Sequence, residues 1–450
     1  MRVVVLGGGE SGYGSAVLAR IKGYDVFLSD LGTLEEKYAR KLEEYGIPYE
    51  QGGHTPELIL NADLVIKSPG IPDTAAVVKA LSDKGMPVIS EIEFAGRFTR
   101  GKTICITGSN GKTTTTTLIY EILRAAGYGV AAGGNIGESF AYTVATSDRE
   151  WYVLELSSFQ LDGMFAFRAD IAILMNITPD HLDRYGYDFG SYADSKFRII
   201  RNQRPEDVFI FCLDDKTVAE KVSELRPEMK LLPFSAKKEL YQGGAFLRHD
   251  GTFTARAGGR ELELDTAKMK IKGLHNAYNA MAAAMAAMAT GVNEDVIRET
   301  IYNFAGVEHR MEFVAWVGGV EYINDSKATN VDSAWYALES MKRPVVWIAG
   351  GTDKGNDYGP LKEFARQKVK ALVCMGADNT KLKEAFGGLV PVVYDTHSLE
   401  EAMAAVTEAS RKGDTVLLSP ACASFDLFKN YEDRGRQFKA AVNKLERNRR

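Results

Sequence analysis

Short apolar runs recur along the chain, separated by stretches of helical period. Runs at 2–6, 25–29, 64–67, 103–107, 151–156, 171–177, 345–349, 371–375 and 415–419 have the length and β-branched character of buried strands. A further pair, 312–317 and 320–324, lies close enough in sequence to pair directly. Strands that alternate with helical segments predict parallel, doubly wound sheets, so the class is α/β. Residues 215–270 break this rhythm and read as loosely patterned strands and turns. An Ala- and Met-rich stretch at 273–289 then predicts one long helix whose small face allows close packing.

The densest chemistry follows the run at 103–107. Gly108-Ser109-Asn110-Gly111-Lys112-Thr113 leads from it into a helical segment reaching about residue 126. Strand, glycine-rich turn and helix make a phosphate cradle, because backbone amides and the positive end of the helix dipole face the same oxyanions. Lys112 would reach the outer phosphates, and the Thr113 hydroxyl would ligate Mg²⁺. The usual pattern places four residues before the Gly-Lys pair, and here only Ser109 and Asn110 stand there, so the loop is a shortened P-loop. An ordinary turn is the competing reading, and the order of strand, loop, Lys-Thr and helix outweighs it. Threonines 115–117 read as packing.

Around this loop other chemistry collects at strand ends. Gly7-Gly8-Gly9-Glu10-Ser11-Gly12 satisfies G-x-G-x-x-G after the first strand, and Asp30 closes the second, where a dinucleotide fold meets a ribose hydroxyl. This points to a pyrophosphate or sugar nucleotide without saying which. Residues 68–72, Ser-Pro-Gly-Ile-Pro, form a rigid loop after a third strand. Glu155 is acidic within an apolar run, which fits a metal ligand beside a P-loop or a salt-bridged core carboxylate. His181 and Asp183 follow the strand at 171–177. Lys196, within a helical segment at 192–201, reads from the residues alone as a solvated lysine. Asn276 sits in the first turn of the long helix, as a ligand contact or a cap. Later come His309-Arg310, the turn at 324–330 (Asn-Asp-Ser-Lys-Ala-Thr-Asn), Gly350-Gly351-Thr352-Asp353-Lys354 and the stretch at 420–424.

At 450 residues the chain exceeds one hydrophobic core. The motifs divide it into an N-terminal Rossmann-like domain (1–97), a central P-loop ATPase-type mononucleotide-binding domain (98–305) and a C-terminal Rossmann-like domain (306–450). A net charge of −5 argues against nucleic acid as a partner, since no basic face is available on balance. Four scattered cysteines without a CxxC pair suit reduced core thiols. No leader precedes the first strand and no apolar run is long enough for a membrane span, so a cytoplasmic protein without a membrane partner is expected.

Seven stretches together carry a resemblance: 108–113, 155–160, 180–184, 273–277, 309–310, 324–330 and 419–424. In this order they resemble the Mur ligases across essentially the whole chain. Within that family 324–330 and 419–424 are similar to the D-glutamate-adding branch. The Asp-Asn-Pro-Arg and Gly-His-His-Pro stretches of other branches do not occur here. The resemblance implies that ATP phosphorylates the carboxylate of UDP-N-acetylmuramoyl-L-alanine and that the amine of D-glutamate displaces phosphate. It implies ATP contacts at Gly108, Ser109, Asn110, Gly111, Lys112, Thr113, Thr114, Asn276, Arg310 and Asp325. Two Mg²⁺ sites would draw on Thr113, Glu155, His181 and a carbamate carried by Lys196, which reverses the reading of that lysine. Lys112, His181, Lys196, Asp325 and Lys327 would be catalytic. The nucleotide-sugar substrate would meet Ser11, Asp30, Ser68, Asn135, Ser157, His181 and Lys327. D-glutamate would meet Thr329, Lys354, Ser424 and Tyr431. Two departures stand out: Tyr431 replaces an expected Phe, and Leu31-Gly32 replaces an expected Thr-Arg. A monomer acting on small molecules is expected.

Three other readings stay open on the sequence. A folylpolyglutamate synthase-like ligase lacks an account of the N-terminal glycine loop. An NAD-dependent oxidoreductase fused to an ATP module leaves 308–330 and 419–431 unexplained. A non-catalytic ATP-regulated binding protein leaves Glu155, His181 and Asp325 idle.

Overall fold

The computed structural model describes residues 1–180, 182–353 and 355–449, and of Asp183, Asp332, Asn448 and Arg449 the backbone alone. The chain divides into two compact units. The first holds Met1–Met269 and Leu274–Phe304, the second Lys270–Gly273 and Ala305–Arg450.

The first unit contains two sheets. Strands β1 (Arg2–Leu6), β2 (Asp25–Asp30), β3 (Tyr49–Gln51), β4 (Leu64–Lys67) and β5 (Val88–Ile89) form a parallel sheet in the order β3-β2-β1-β4-β5. Val3–Leu6 of its central strand are fully buried, as expected of a strand covered on both faces. The second sheet takes nine strands: β6 (Lys102–Thr107), β7 (Val130–Gly134), β8 (Trp151–Glu155), β9 (Ile171–Leu174), β10 (Val208–Cys212), β11 (Lys230–Ser235), β12 (Gly244–Leu247), β13 (Thr252–Ala257) and β14 (Arg260–Asp265). Their order is β14-β13-β12-β11-β10-β9-β6-β8-β7, parallel from β7 to β12, with the last three antiparallel. The irregular reading of 215–270 is corrected here. Asp215 caps a helix, Lys216–Leu225, by accepting from the Val218 amide, and the remainder extends the sheet through β11 to β14.

The helix Leu274–Thr290 is buried from Asn276 to Met288 almost without interruption, and it packs on the helix Lys112–Ala125 that follows the P-loop. Alanines let the two backbones approach, so the phosphate loop rests on a rigid floor. The two sheets of this unit meet through the helices Glu10–Ile21 and Phe140–Thr146. A Cβ built on Gly14 would fall 1.9 Å from Ser139 Oγ, so no larger residue fits the crossing.

The second unit has one sheet: β15 (Glu312–Val317), β16 (Val320–Asn324), β17 (Val345–Ala349), β18 (Val369–Met375), β19 (Val393–Thr396) and β20 (Thr415–Leu418), in the order β15-β16-β20-β17-β18-β19. Only β15 runs antiparallel, joined to β16 by Gly318-Gly319 with both φ positive, which is the demand of a tight hairpin. Trp347 and Phe386 pack edge to face in its interior. All four cysteines of the chain are free and buried.

Candidate active site

In each sheet the candidate residues gather at the carboxyl ends of neighbouring strands, where doubly wound folds bind ligands. The P-loop follows β6, Glu155 ends β8, Asn135 follows β7 and Asn176 follows β9, and these four strands are adjacent.

The loop is held by hydrogen bonds that the sequence did not reveal. Ser109 N donates to Asn176 O at 3.0 Å and Asn110 N to Asn176 Oδ1 at 2.8 Å. Ser109 Oγ donates to Thr178 O at 2.8 Å and lies 3.1 Å from the Tyr192 hydroxyl. Gly111 adopts φ +85°, and a Cβ there would fall 2.6 Å from Asn279 Oδ1. Asn279 also accepts from Thr115 Oγ1 at 3.2 Å and donates to Asn276 Oδ1 at 3.1 Å. Asn276 is therefore an interior residue braced against the loop's floor. Its partner stands one helical turn on, the i, i+3 spacing that could have exposed it.

The two lysines converge on one atom. Lys112 Nζ donates to Gly108 O at 2.8 Å, and Lys196 Nζ donates to the same oxygen at 3.0 Å. Lys196 is buried, with its nitrogen 4.6 Å from the centre of the Tyr192 ring. The solvated reading of this residue fails because its helix, Phe189–Phe197, turns that face toward the loop. Burial, then the ammonium of Lys112, push its amine well below the usual lysine range. Glu155 is also buried, and its Oε1 accepts from Asn135 Nδ2 at 3.0 Å. Thr113 and Thr114 are buried in the first turn after the loop, and Thr114 Oγ1 has no hydrogen-bond partner among the described residues. Ser157 caps the helix Ser158–Asp162 in a reciprocal box with Gln160. His181 lies outside the described residues.

In the first sheet of this unit, Ser68 Oγ donates to Gly7 O at 3.2 Å. Asp30 spends both oxygens on the backbone: Gly8 N donates at 2.6 Å and Gly32 N at 2.7 Å. It clasps the glycine loop, the position that sequence reading gave to a ribose. Ser11 lies near Glu91, a buried carboxyl that burial pushes above the usual range. Glu91 Oε1 accepts from Ser139 Oγ and from Ala141 N. Nothing in the spacing of residues 91 and 139 announced that pairing.

The second unit assembles its own group. Asp325 is buried, accepting from Ser419 Oγ at 2.9 Å and from Met311 N at 3.1 Å. Burial lifts its carboxyl to about 7, against the pull of Arg310. His309 and Met311, on either side of Arg310, both hold positive φ, so the backbone is strained at the two residues that flank that arginine. Lys327 Nζ stands 5.1 Å from the centre of the Tyr431 ring, and Ser326 Oγ donates to Tyr431 O at 2.8 Å. Arg434, fully buried, donates to Ser326 O at 2.9 Å and to Cys422 O at 3.4 Å, tying the turn at 324–330 to the loop that carries Ser424. Thr329 N donates to Lys327 O at 2.9 Å. Lys354 lies outside the described residues.

Three family descriptions match the chain: the MurD N-terminal domain at residues 2–77, the Mur ligase middle domain at 106–287 and the Mur ligase glutamate ligase domain at 309–422. A UDP-N-acetylmuramoylalanine--D-glutamate ligase of Bacteroides fragilis is 51% identical over 445 residues, covering 99% of this chain and 100% of that protein. The chain belongs to the Mur ligase family. A Porphyromonas gingivalis protein of the same description is 51% identical over 440 residues, 98% of each chain. Among solved structures, the UDP-N-acetylmuramate-alanine ligase MurC of Thermotoga maritima superposes with a TM-score of 0.64 over 99% of both chains, at 19% identity, which shows a shared fold. As a Mur ligase, the chain forms amide bonds with ATP and Mg²⁺ in peptidoglycan synthesis. The residues fit those groups: Thr114 Oγ1 is buried in the first turn after the loop with no partner among the described residues, and a buried carboxylate, the Thr113 hydroxyl and two lysines stand near it. Among the described residues no helix is long and apolar enough to cross a membrane.

Proposed function

We propose that this chain joins D-glutamate to UDP-N-acetylmuramoyl-L-alanine through an acyl phosphate. The observation that carries the mechanism is the meeting of Lys112 and Lys196 on Gly108 O beside buried Glu155. The full-length relatives named for this reaction support the choice of substrates.

Lys112 and the loop amides hold the β- and γ-phosphates of ATP in line with the substrate carboxylate. A carboxylate oxygen attacks the γ-phosphorus and ADP departs. The amine of D-glutamate then adds to the acyl carbon, loses a proton, and phosphate leaves with the electrons of the C–O bond. Lys327 and Arg310 supply positive charge for the transferred phosphoryl group, and Asn276 and Asp325 contact the nucleotide. Thr329, Ser424, Tyr431 and Lys354 receive the two carboxylates of D-glutamate. Asn135 and Ser157, with Ser11, Ser68 and Asp30, orient the nucleotide sugar. Thr113, Glu155, His181 and Lys196 would hold Mg²⁺ at two sites, where it would neutralise phosphate charge.

Lys196 serves as a carbamate. Burial and a neighbouring cation lower the amine's hold on its proton, which favours attack on CO₂; the nitrogen gives up a proton to solvent as the N–C bond forms, and the product is an anion suited to a hard metal. Boundaries at 97 and 305 divide the three functional domains, and the enzyme works as a cytoplasmic monomer.

The test is ATP-dependent phosphate release with UDP-N-acetylmuramoyl-L-alanine and D-, then L-glutamate and L-lysine. Release with D-glutamate alone is expected. Release with another amino acid would move the chain to another amide-forming step, and no release with any would overturn the reading.

A further inference from the structure

The first unit holds a second cleft, of about 820 Å³, between β5 with its flanking turns and the helix Ser158–Asp162. That volume is within the range of small-molecule sites. None of its lining residues belongs to the group around the P-loop. Its walls combine cations and flat rings. Lys67 and Arg97 come from the first-sheet side, and Phe159, Phe165, Arg184 and Tyr185 from the other. The Phe159 and Tyr185 rings lie 13° from parallel with centres 6.1 Å apart, and the Arg184 guanidinium sits over Phe159 at 4.3 Å. Phe165 is about half exposed at the rim.

The three cations differ in how fully they are used. Lys67 is paired with Asp73 and Arg97 with Glu93, each partner taking only some of the donors. Arg184 makes no ion pair among the described residues, and one of its nitrogens donates to Pro69 O at 3.4 Å. A guanidinium over an aromatic face with donors to spare suits a bidentate oxyanion. The adjoining rings suit a planar group on the same ligand.

We propose that this cleft is an effector site for a small anion bearing a planar ring, of the aryl or nucleoside phosphate class. Two short paths lead from it toward the proposed reaction site, one to a catalytic group and one to a substrate-binding loop. The Tyr185 hydroxyl donates to Ser195 Oγ at 3.2 Å, one residue before Lys196. Arg184 holds the 68–72 loop at Pro69 O, one residue after Ser68. An anion that draws Arg184 away releases that loop, so occupation of the cleft slows ligation.

The experiment uses the full chain and 4-fluorophenyl phosphate as probe, followed by ¹⁹F NMR. The ATP site is saturated with a non-hydrolysable analogue and Mg²⁺, and the sugar site with UDP-N-acetylmuramoyl-L-alanine, each occupancy being measured separately. Binding of the probe is expected to survive both. Its Kd is expected to rise at least tenfold in Arg184→Gln and in Arg97→Gln, and Thr74→Trp, which fills the cleft from an exposed position, is expected to abolish it. Phosphate release by the unaltered chain is expected to slow with probe, and by Thr74→Trp to proceed at the basal rate regardless. Displacement by either saturating ligand, undiminished binding to all three variants, or an unchanged rate at full occupancy would each overturn the proposal. Failure of the saturating ligands to bind would count against the proposed reaction instead.

Discussion

At the scale of single residues, burial sets the chemistry. Lys196 is informative because a lysine rarely enters a protein interior without a carboxylate partner, and this one meets a carbonyl oxygen and an aromatic face. Lys196→Ala is expected to cost about 100-fold or more in kcat, on the scale of losing a metal-supporting group. A short-chain carboxylate is expected to restore part of it in steady-state phosphate release, because it replaces the missing anion. Activity close to the unaltered enzyme would remove the carbamate from the mechanism. Asp325 shows the opposite sign. Its carboxyl is lifted from the usual 3.8 to about 7 by burial, so between those values the folded unit keeps a proton that the unfolded chain surrenders. The stability contributed by this group is complete below about pH 4 and is lost as pH climbs to 7, on the order of 4 kcal/mol across the window. Asp325→Asn keeps the shape without the titration. Urea unfolding at pH 5 and pH 7.5 is expected to show a smaller difference for this variant than for the unaltered chain; an equal difference would acquit the carboxyl.

At the scale of elements, the P-loop is stabilised by its neighbours more than by its own composition. Gly108 and Gly111 were legible as glycines a phosphate loop needs, but the residues that lock the loop, Asn176, Tyr192 and Asn279, come from three distant segments. Periodicity located nearly every strand that carries chemistry, because those strands are short, apolar and buried on both faces. It missed the helix Lys216–Leu225, whose amphipathic pattern is brief, and the strands β3, β5, β7, β10 and β19, among them β7, a Gly- and Ala-rich strand that leads into Asn135. It also misjudged Lys196, since the helix carrying it is polar in sequence and buried only by tertiary packing. Gly111→Ala tests the lock directly. The left-handed backbone costs a side chain about 1–2 kcal/mol, and the new Cβ meets Asn279 Oδ1. Titration calorimetry is expected to show ATP affinity reduced about tenfold or more, with far-UV circular dichroism unchanged. Adding Asn279→Ala is expected to recover part of the loss by removing the contact while leaving the backbone strain. Full recovery would show that the φ angle is unimportant.

At the scale of the whole molecule, the proposed chemistry draws on both units: Lys112, Glu155 and Lys196 belong to one, Arg310, Asp325, Lys327, Ser424 and Tyr431 to the other. Sequence order alone exposed that distribution, whereas the pairings inside each unit, such as Glu91 with Ser139 or Arg434 with Ser326, required the fold. Each unit has cores of its own. One cluster in the first runs from Val3 to Met229, and those of the second lie wholly between Ala315 and Val442. Separate cores favour separate cooperative transitions, so a single two-state unfolding is not expected. The tryptophans make this measurable. Trp316, Trp335 and Trp347 lie in the second unit and Trp151 alone in the first. Urea unfolding followed by tryptophan fluorescence is therefore expected to report chiefly the second unit, while far-UV circular dichroism reports both and shows two steps. ATP with Mg²⁺ is expected to raise the step of the first unit, which holds the P-loop, by RT ln(1 + [L]/Kd), and to move the second unit's step as well through Arg310, Asp325 and Lys327. Coincident single transitions by both probes would mean that the units unfold as one body.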